Sequence, residues 1–182
     1  MDKATEFAML SLLKEPQTFQ KGFNLLVYTF KEKLYWHIRY MVKNHDDAHD
    51  ILQNTFIKVF KNIGSFKAES KIYTWLYRIA TNEALTFLTK KAKQKTMSYE
   101  EFQQNLTVNL EADAFFDGDQ GELLLQKAIA TLPQKQQQVF IMKYFDALKY
   151  KEIAEILETS EGALKASYHL AVKKIEEFIK AN

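Results

Sequence analysis

From Phe19 to Lys43 the apolar residues Phe19, Phe23, Leu26, Val27, Phe30, Leu34, Ile38, Met41 and Val42 recur at helical spacing, so they share one stripe of an amphipathic helix. Asn44 interrupts that pattern. Asp46 and Asp47 then supply the polar, acidic start of a second helix. Its stripe runs through Ala48, Ile51, Leu52, Phe56, Val59 and Ile63, and Gly64 is the expected stop. The stretch from Ser65 to Ser70 reads as a loop. A third helix follows with Ile72, Trp75, Leu76, Ile79, Ala80, Ala84, Phe87 and Leu88 on its apolar side, and it runs out into the lysines at 90–95. Three such helices around one core make a first domain.

The periodicity fades between about Thr96 and Gly121, which reads as a linker with at most a short turn of structure. Helical spacing resumes at Glu122–Leu132, is stopped by Pro133, and continues in Gln134–Phe145, Tyr150–Leu157 and Ser160–Lys180. The expected fold is all-α: two small helical domains, 17–96 and 122–182, joined by an acidic linker, 97–121. The C-terminal domain is a helix-turn-helix.

Composition narrows the class. The 182 residues are 47% hydrophobic and 26% charged, which supports a core and excludes a wholly disordered chain. Five Gly and two Pro are too few for the turns of an all-β protein. The absence of Cys removes disulfides, thiolate zinc clusters and thiol chemistry. No apolar run approaches a membrane span, and MDKATEF lacks a signal segment, so a cytoplasmic protein without membrane insertion is expected.

Charge is unevenly placed behind a net value of +2. Seven Lys or Arg face two acids between Lys67 and Met97, whereas Ser98–Gln126 holds seven acids and no base. Such blocks point to polyanion contact in one part of the chain and a separate role in the other. Composition alone fits a solvated basic helix end beside an acidic linker equally well.

Two constellations fit nucleic acid. In KEIAEIL-ETS-EGALKASYHLAVKKI, a short helix, a three-residue turn and a longer helix have the layout of a helix-turn-helix, whose second helix enters the major groove. Ile153, Ala154 and Leu157 are expected to pack on Leu164, Tyr168, Ala171 and Ile175. Ser160 is the expected N-cap. Lys165, His169 and Lys173, four residues apart, share a face that can track phosphates. Lys143–Asn182 nevertheless carries seven Lys against seven acids, so this domain alone should bind DNA weakly. The second constellation, Ser65–Leu85, interleaves Phe66, Tyr73, Trp75 and Tyr77 with Lys67, Lys71 and Arg78, as single-stranded nucleic acid requires. Burial of those aromatics in a core explains the same residues.

Catalysis finds little support. His45 and His49 in HDDAH have the spacing of an HExxH zinc site, but Asp46 stands where the general base would be, and no third ligand is evident. A solvated helix start accounts for them without a metal. No Gly-rich phosphate loop or GxSxG is present, and neither a cofactor nor enzyme activity is expected.

Taken in order, DDAHDILQNTFIKVFKNI, SFKAESKIYTWLYRIATNEAL and LPQKQQQVFIMKYFDALKYKEIAEILETSEGALKASYHLAVKKI resemble the three signature runs of bacterial RNA polymerase sigma factors of the extracytoplasmic-function (ECF) type. The resemblance extends from about Phe19 to the C-terminus. It implies a sigma factor that binds core RNA polymerase and directs it to specific promoters. Residues 17–96 would be region two, with Asp47, Asp50, Gln53, Asn54 and Lys58 docking on the β′ clamp helices. Phe66, Lys67, Ser70, Lys71, Tyr73, Trp75, Arg78 and Asn82 would recognise and melt the −10 element. Region four, 122–182, would read the −35 element through Ser160, Glu161, Ala163, Lys165, Ala166, His169 and Lys173, and pack on the β flap. An anti-sigma factor is a further partner the resemblance allows. Leu106, Val108, Leu110, Phe115 and Phe116 in the linker are candidates to meet it or the polymerase interior.

The chain departs from the family's pattern at several positions. Glu158 stands where the helix-turn-helix usually has Gly, Ser167 and Leu170 where Arg is common, and His49 and Asn54 where acids are commoner. A polymerase-independent, dimeric helix-turn-helix regulator is the alternative reading of the same residues.

Overall fold

A computed structural model describes residues 3–108, 110, 113, 116 and 118–182. Phe115, among the linker residues singled out above, lies outside the described residues. The elements are α1 (Lys3–Lys14), α2 (Phe19–Val42), α3 (His45–Asn62), a 3-10 turn at Ile63–Ser65, α4 (Ile72–Gln94), α5 (Tyr99–Val108), α6 (Gln120–Ala130), α7 (Gln134–Tyr144), α8 (Tyr150–Leu157) and α9 (Glu161–Ala181). No strand occurs among the described residues.

The three stripes read from the sequence meet as expected. Leu26, Phe30, Leu34, Ile38 and Met41 of α2, Ala48, Ile51 and Val59 of α3, and Ile72, Leu76, Ala80, Ala84 and Leu88 of α4 are all buried. Lys43 ends α2 in a left-handed conformation, its N–H donating to the Arg39 carbonyl. The N-cap of α3 is Asn44, two residues before the acids expected to start the helix, and its side chain accepts from the Asp47 amide. Gly64 sits inside the 3-10 turn at a negative φ, so the expected left-handed stop is absent; the helix tightens rather than terminating on a glycine.

Two helices lie outside the sequence-predicted set. α1 packs on α2, burying Met9 completely. The crossing is close: a Cβ on Gly22 would stand 2.9 Å from the Leu12 Cβ and the Leu13 nitrogen, so only glycine fits there. Glu6 of α1 also accepts from the Ile72 amide at 2.7 Å, capping α4, whose own N-cap residue Lys71 makes no side-chain cap. Within the linker, α5 starts on a capping box. Ser98 Oγ accepts from the Glu101 amide, and Glu101 accepts from the Ser98 amide. Phe102, Gln103 and Thr107 are buried.

The C-terminal helices enclose a second, smaller core of Ala128, Ile129, Leu132, Phe140, Ala171 and Ile175. Thus Ala171 and Ile175 pack toward α6 and α7, while Leu164 packs with Ile153 and Ile156 of α8. The latter group, with Val139, Ile141, Met142 and Leu148, is continuous with the core of α2–α4. The two halves are therefore docked, α7 against α2 and α8 against α4.

Candidate nucleic-acid interface

The basic and aromatic residues of the second constellation lie on the Ser65–Ser70 loop and the first turns of α4. Lys67 is exposed, and Phe66 and Trp75 are half-buried against each other, ring centroids 5.3 Å apart. Helical spacing divides the α4 aromatics by face: Tyr77 is buried against the His37 ring, whereas Tyr73 and Trp75 keep part of their surface in solvent. Ser70 is half-buried and Asn82 exposed at the two ends of this face.

Three cation or hydroxyl groups of the face are engaged by α8. Lys71 Nζ lies 3.3 Å from the Glu152 carboxylate, and Tyr73 also donates to Glu152. Burial raises the Glu152 carboxyl, but hydrogen bonds from Tyr73, the Lys149 amide and Lys71 outweigh it and hold it below its usual value. The Lys71 ammonium is raised, chiefly by its hydrogen bond to Glu152. Arg78 donates to the Glu155 carbonyl and reaches the Glu158 carboxylate at 3.4 Å. That carbonyl belongs to the last turn of α8, where orphaned acceptors and the helix dipole favour a cation.

On the opposite side of the C-terminal half, α9 presents a free face. Ser160, Glu161, Ala163, Lys165, Ala166, His169 and Lys173 are all exposed, while Leu164, Ala171 and Ile175 are buried behind them. Ser160 is the N-cap as expected, its hydroxyl accepting from the Ala163 amide at 3.2 Å. Lys165 stands 5.8 Å from the centroid of the Tyr150 ring, a cation–π contact that steers its ammonium. Glu158 closes α8 in a left-handed conformation, φ 51°, which accounts for the usual preference for glycine at this turn.

The α3 residues form a third patch. Asp50, Gln53, Asn54 and Lys58 are exposed, and Asp47 is half-buried. Burial raises the Asp47 carboxyl, against the pull of Lys91 at 4.0 Å. Lys58 pairs with Glu83 of α4. Nearby, His45 Nδ1 bonds the Tyr35 hydroxyl at 2.8 Å, and His45 and His49 stack edge to face. Among the described residues no group of three or more His, Asp or Glu is arranged to hold a metal ion. No described helix is long and apolar enough to cross a membrane.

Sequence reasoning passed over the polar seam between the halves. His37 is buried in α2. Its Nδ1 bonds Asp146 at 2.6 Å, and its Nε2 bonds Thr81 Oγ1 at 2.9 Å. The Thr81 hydroxyl donates its one proton to the Tyr77 carbonyl, so it accepts from His37 Nε2. Tyr40 stacks on Phe145 with centroids 3.8 Å apart. Arg39 pairs with Asp113 at 2.6 Å, and the buried Lys43 ammonium donates to Gln126 and the Tyr40 carbonyl. The signal available was a His, an Arg and a Lys on or beside the apolar stripe of α2.

Comparison with known proteins accounts for both halves. The sequence model of sigma-70 region 2 matches residues 26–94, and that of sigma-70 region 4 matches residues 122–175. The ECF RNA polymerase sigma factor SigW of Bacillus subtilis (strain 168) is 35% identical over 158 residues, covering 82% of this chain and 84% of that protein. The RNA polymerase sigma-H factor of Pseudomonas aeruginosa is 26% identical over 174 residues, 87% of this chain and 86% of its own. Among solved structures, CnrH in complex with the cytosolic domain of CnrY superposes with a TM-score of 0.73 at 17% identity, covering 97% of this chain and 98% of that one. The sigma factor RpoE of Bartonella quintana, in complex with the anti-sigma factor NepR, gives 0.68 at 19% identity over 89% and 99%. The chain belongs to the ECF sigma factors of the sigma-70 family, which direct RNA polymerase to promoters.

Proposed function

We propose that the chain divides this work among three patches. Residues 17–96 bind core polymerase and open the −10 element, 97–121 tether, and 122–182 read the −35 element. Asp47, Asp50, Gln53, Asn54 and Lys58 on α3 meet the β′ clamp helices. Phe66, Lys67, Ser70, Lys71, Tyr73, Trp75, Arg78 and Asn82 take the −10 strand, with bases on the rings and phosphates on the cations. Ser160, Glu161, Ala163, Lys165, Ala166, His169 and Lys173 enter the major groove, and the same domain packs on the β flap. The chain acts in the cytoplasm, supplies no catalytic step of its own, and is subject to an anti-sigma protein.

The observation that carries this reading is the exposure of the α9 face over a buried backing of Leu164, Ala171 and Ile175. A recognition helix needs such a face, and a buried hairpin does not produce it. Weak affinity in each half is sufficient, because attachment to one polymerase makes the second contact intramolecular. Run-off transcription with purified core polymerase tests the proposal. Initiation at selected promoters should require both core and this chain. Tight operator binding by the chain alone, without effect on core, would favour the polymerase-independent regulator instead.

A further inference from the structure

We propose that the free chain masks its own −10-binding surface with α8, the first helix of its helix-turn-helix. This rests on the assignment of Lys71, Tyr73 and Arg78 to DNA. Those three residues meet three acceptors: the Glu152 carboxylate takes Lys71 and Tyr73, and the Glu155 carbonyl and Glu158 carboxylate take Arg78. Carboxylates and helix C-terminal carbonyls here occupy the places that strand phosphates and bases would fill. Glu152 stands in the first turn of α8, the Glu155 carbonyl in its last, and Glu158 at its C-cap, so the contact runs the length of the helix.

The masking is one-sided. α9 keeps its groove-reading residues exposed, whereas the cations of α4 are held by α8. Apolar packing supplies the remainder of the contact, since Ile153 and Ile156 belong to the same buried cluster as Ile72, Leu76 and Ala80. A chain in this state can engage duplex through α9, whereas a strand laid on α4 must first displace α8 from Lys71, Tyr73 and Arg78. Promoter opening is thereby restricted to the form in which polymerase has drawn the two halves apart.

Glu152→Gln with Glu158→Gln tests this. Glutamine retains an oxygen for the Lys149 amide that Glu152 now caps, so α8 is preserved. The chain has no Cys, so dyes placed at Lys61→Cys and Lys180→Cys, both exposed positions, report the separation of the halves. A fluorescein-labelled single-stranded deoxyoligonucleotide is the binding probe, with Glu15→Gln/Glu32→Gln as the charge-matched control. Loss of two partly exposed ion pairs should raise oligonucleotide affinity of the free chain about three- to tenfold and widen the dye separation. The control should change neither, and run-off transcription at saturating core should match wild type. Unchanged affinity, an equal gain in the control, or an unaltered dye separation would overturn the proposal. Failure of every form to support initiation with core would instead refute the sigma-factor roles, and the oligonucleotide and dye measurements would still decide the masking.

Discussion

Asp146→Ala probes the seam between the halves most directly. The His37 and Asp146 side chains are 1% and 4% exposed, and the pair joins α2 to the loop after α7. Truncation leaves His37 Nδ1 without its partner in a dry site. Leaving a buried polar group unsatisfied costs about 1–3 kcal/mol. The near-complete burial of both side chains places the expected loss near the upper figure, about 3 kcal/mol or roughly 100-fold in the docking equilibrium. Urea unfolding followed by tryptophan fluorescence measures it. Trp36 lies 6.0 Å from Tyr40, whose other neighbour is Phe145, so its emission senses undocking. The variant should lose stability and show an early Trp36 transition. His37→Phe/Asp146→Leu, which replaces the pair by apolar groups, should recover a large part of the loss. The reasoning fails if Asp146→Ala unfolds within about 0.5 kcal/mol of wild type, the range of an ordinary surface substitution.

Lys43 gives a pH signature. Burial lowers its ammonium from 10.5 to about 7, so above pH 7 the docked chain holds it neutral while the unfolded chain keeps the proton. Unfolding then takes up a proton, and stability should rise with pH between those values; Lys43→Met should abolish that increment in paired urea titrations, and equal slopes would refute it. Glu158→Gly relieves a left-handed non-glycine residue and should stabilise the chain by about 1 kcal/mol in thermal unfolding at high salt, where the exposed Arg78–Glu158 pair contributes little. Lys165→Ala/Lys173→Ala should weaken promoter binding by the holoenzyme and reduce the salt slope by about 0.9 per lost phosphate contact. Trp75→Ala should impair opening on duplex promoters more than binding to core, and equal losses with lowered thermal stability would assign the ring to the core.

The helices that bury one face were legible because a 3.6-residue period records burial directly. Phe19–Val42, Tyr150–Leu157 and the Ser160 cap of α9 stand where the pattern puts them. α5 was missed although its capping box, Ser98 to Glu101, is written in the chain. Its buried surface is only Phe102, Gln103 and Thr107, two of them polar, so no hydrophobic stripe announces it. α1 escaped for a related reason. It is short, leaves Phe7 exposed, and depends on contacts with Gly22 and Ile72 that are distant in sequence.

The interface divides along the same line. The exposed face of α9 can be read from one helix, since it is whatever the core stripe leaves over. A contact between halves depends on two segments at once. Glu152 and Glu155 enter a single-chain reading only as net charge, Glu158 as that and as a departure from the usual glycine, and His37 only as a polar interruption in an apolar stripe. The structure joins each to a partner 77 to 109 residues away. Two of the carboxylates that offset the lysines of the helix-turn-helix, Glu152 and Glu158, thus hold cations of α4, and Glu155 adds its main-chain carbonyl. Part of the balance of seven Lys against seven acids in the C-terminal half therefore serves a contact between the halves.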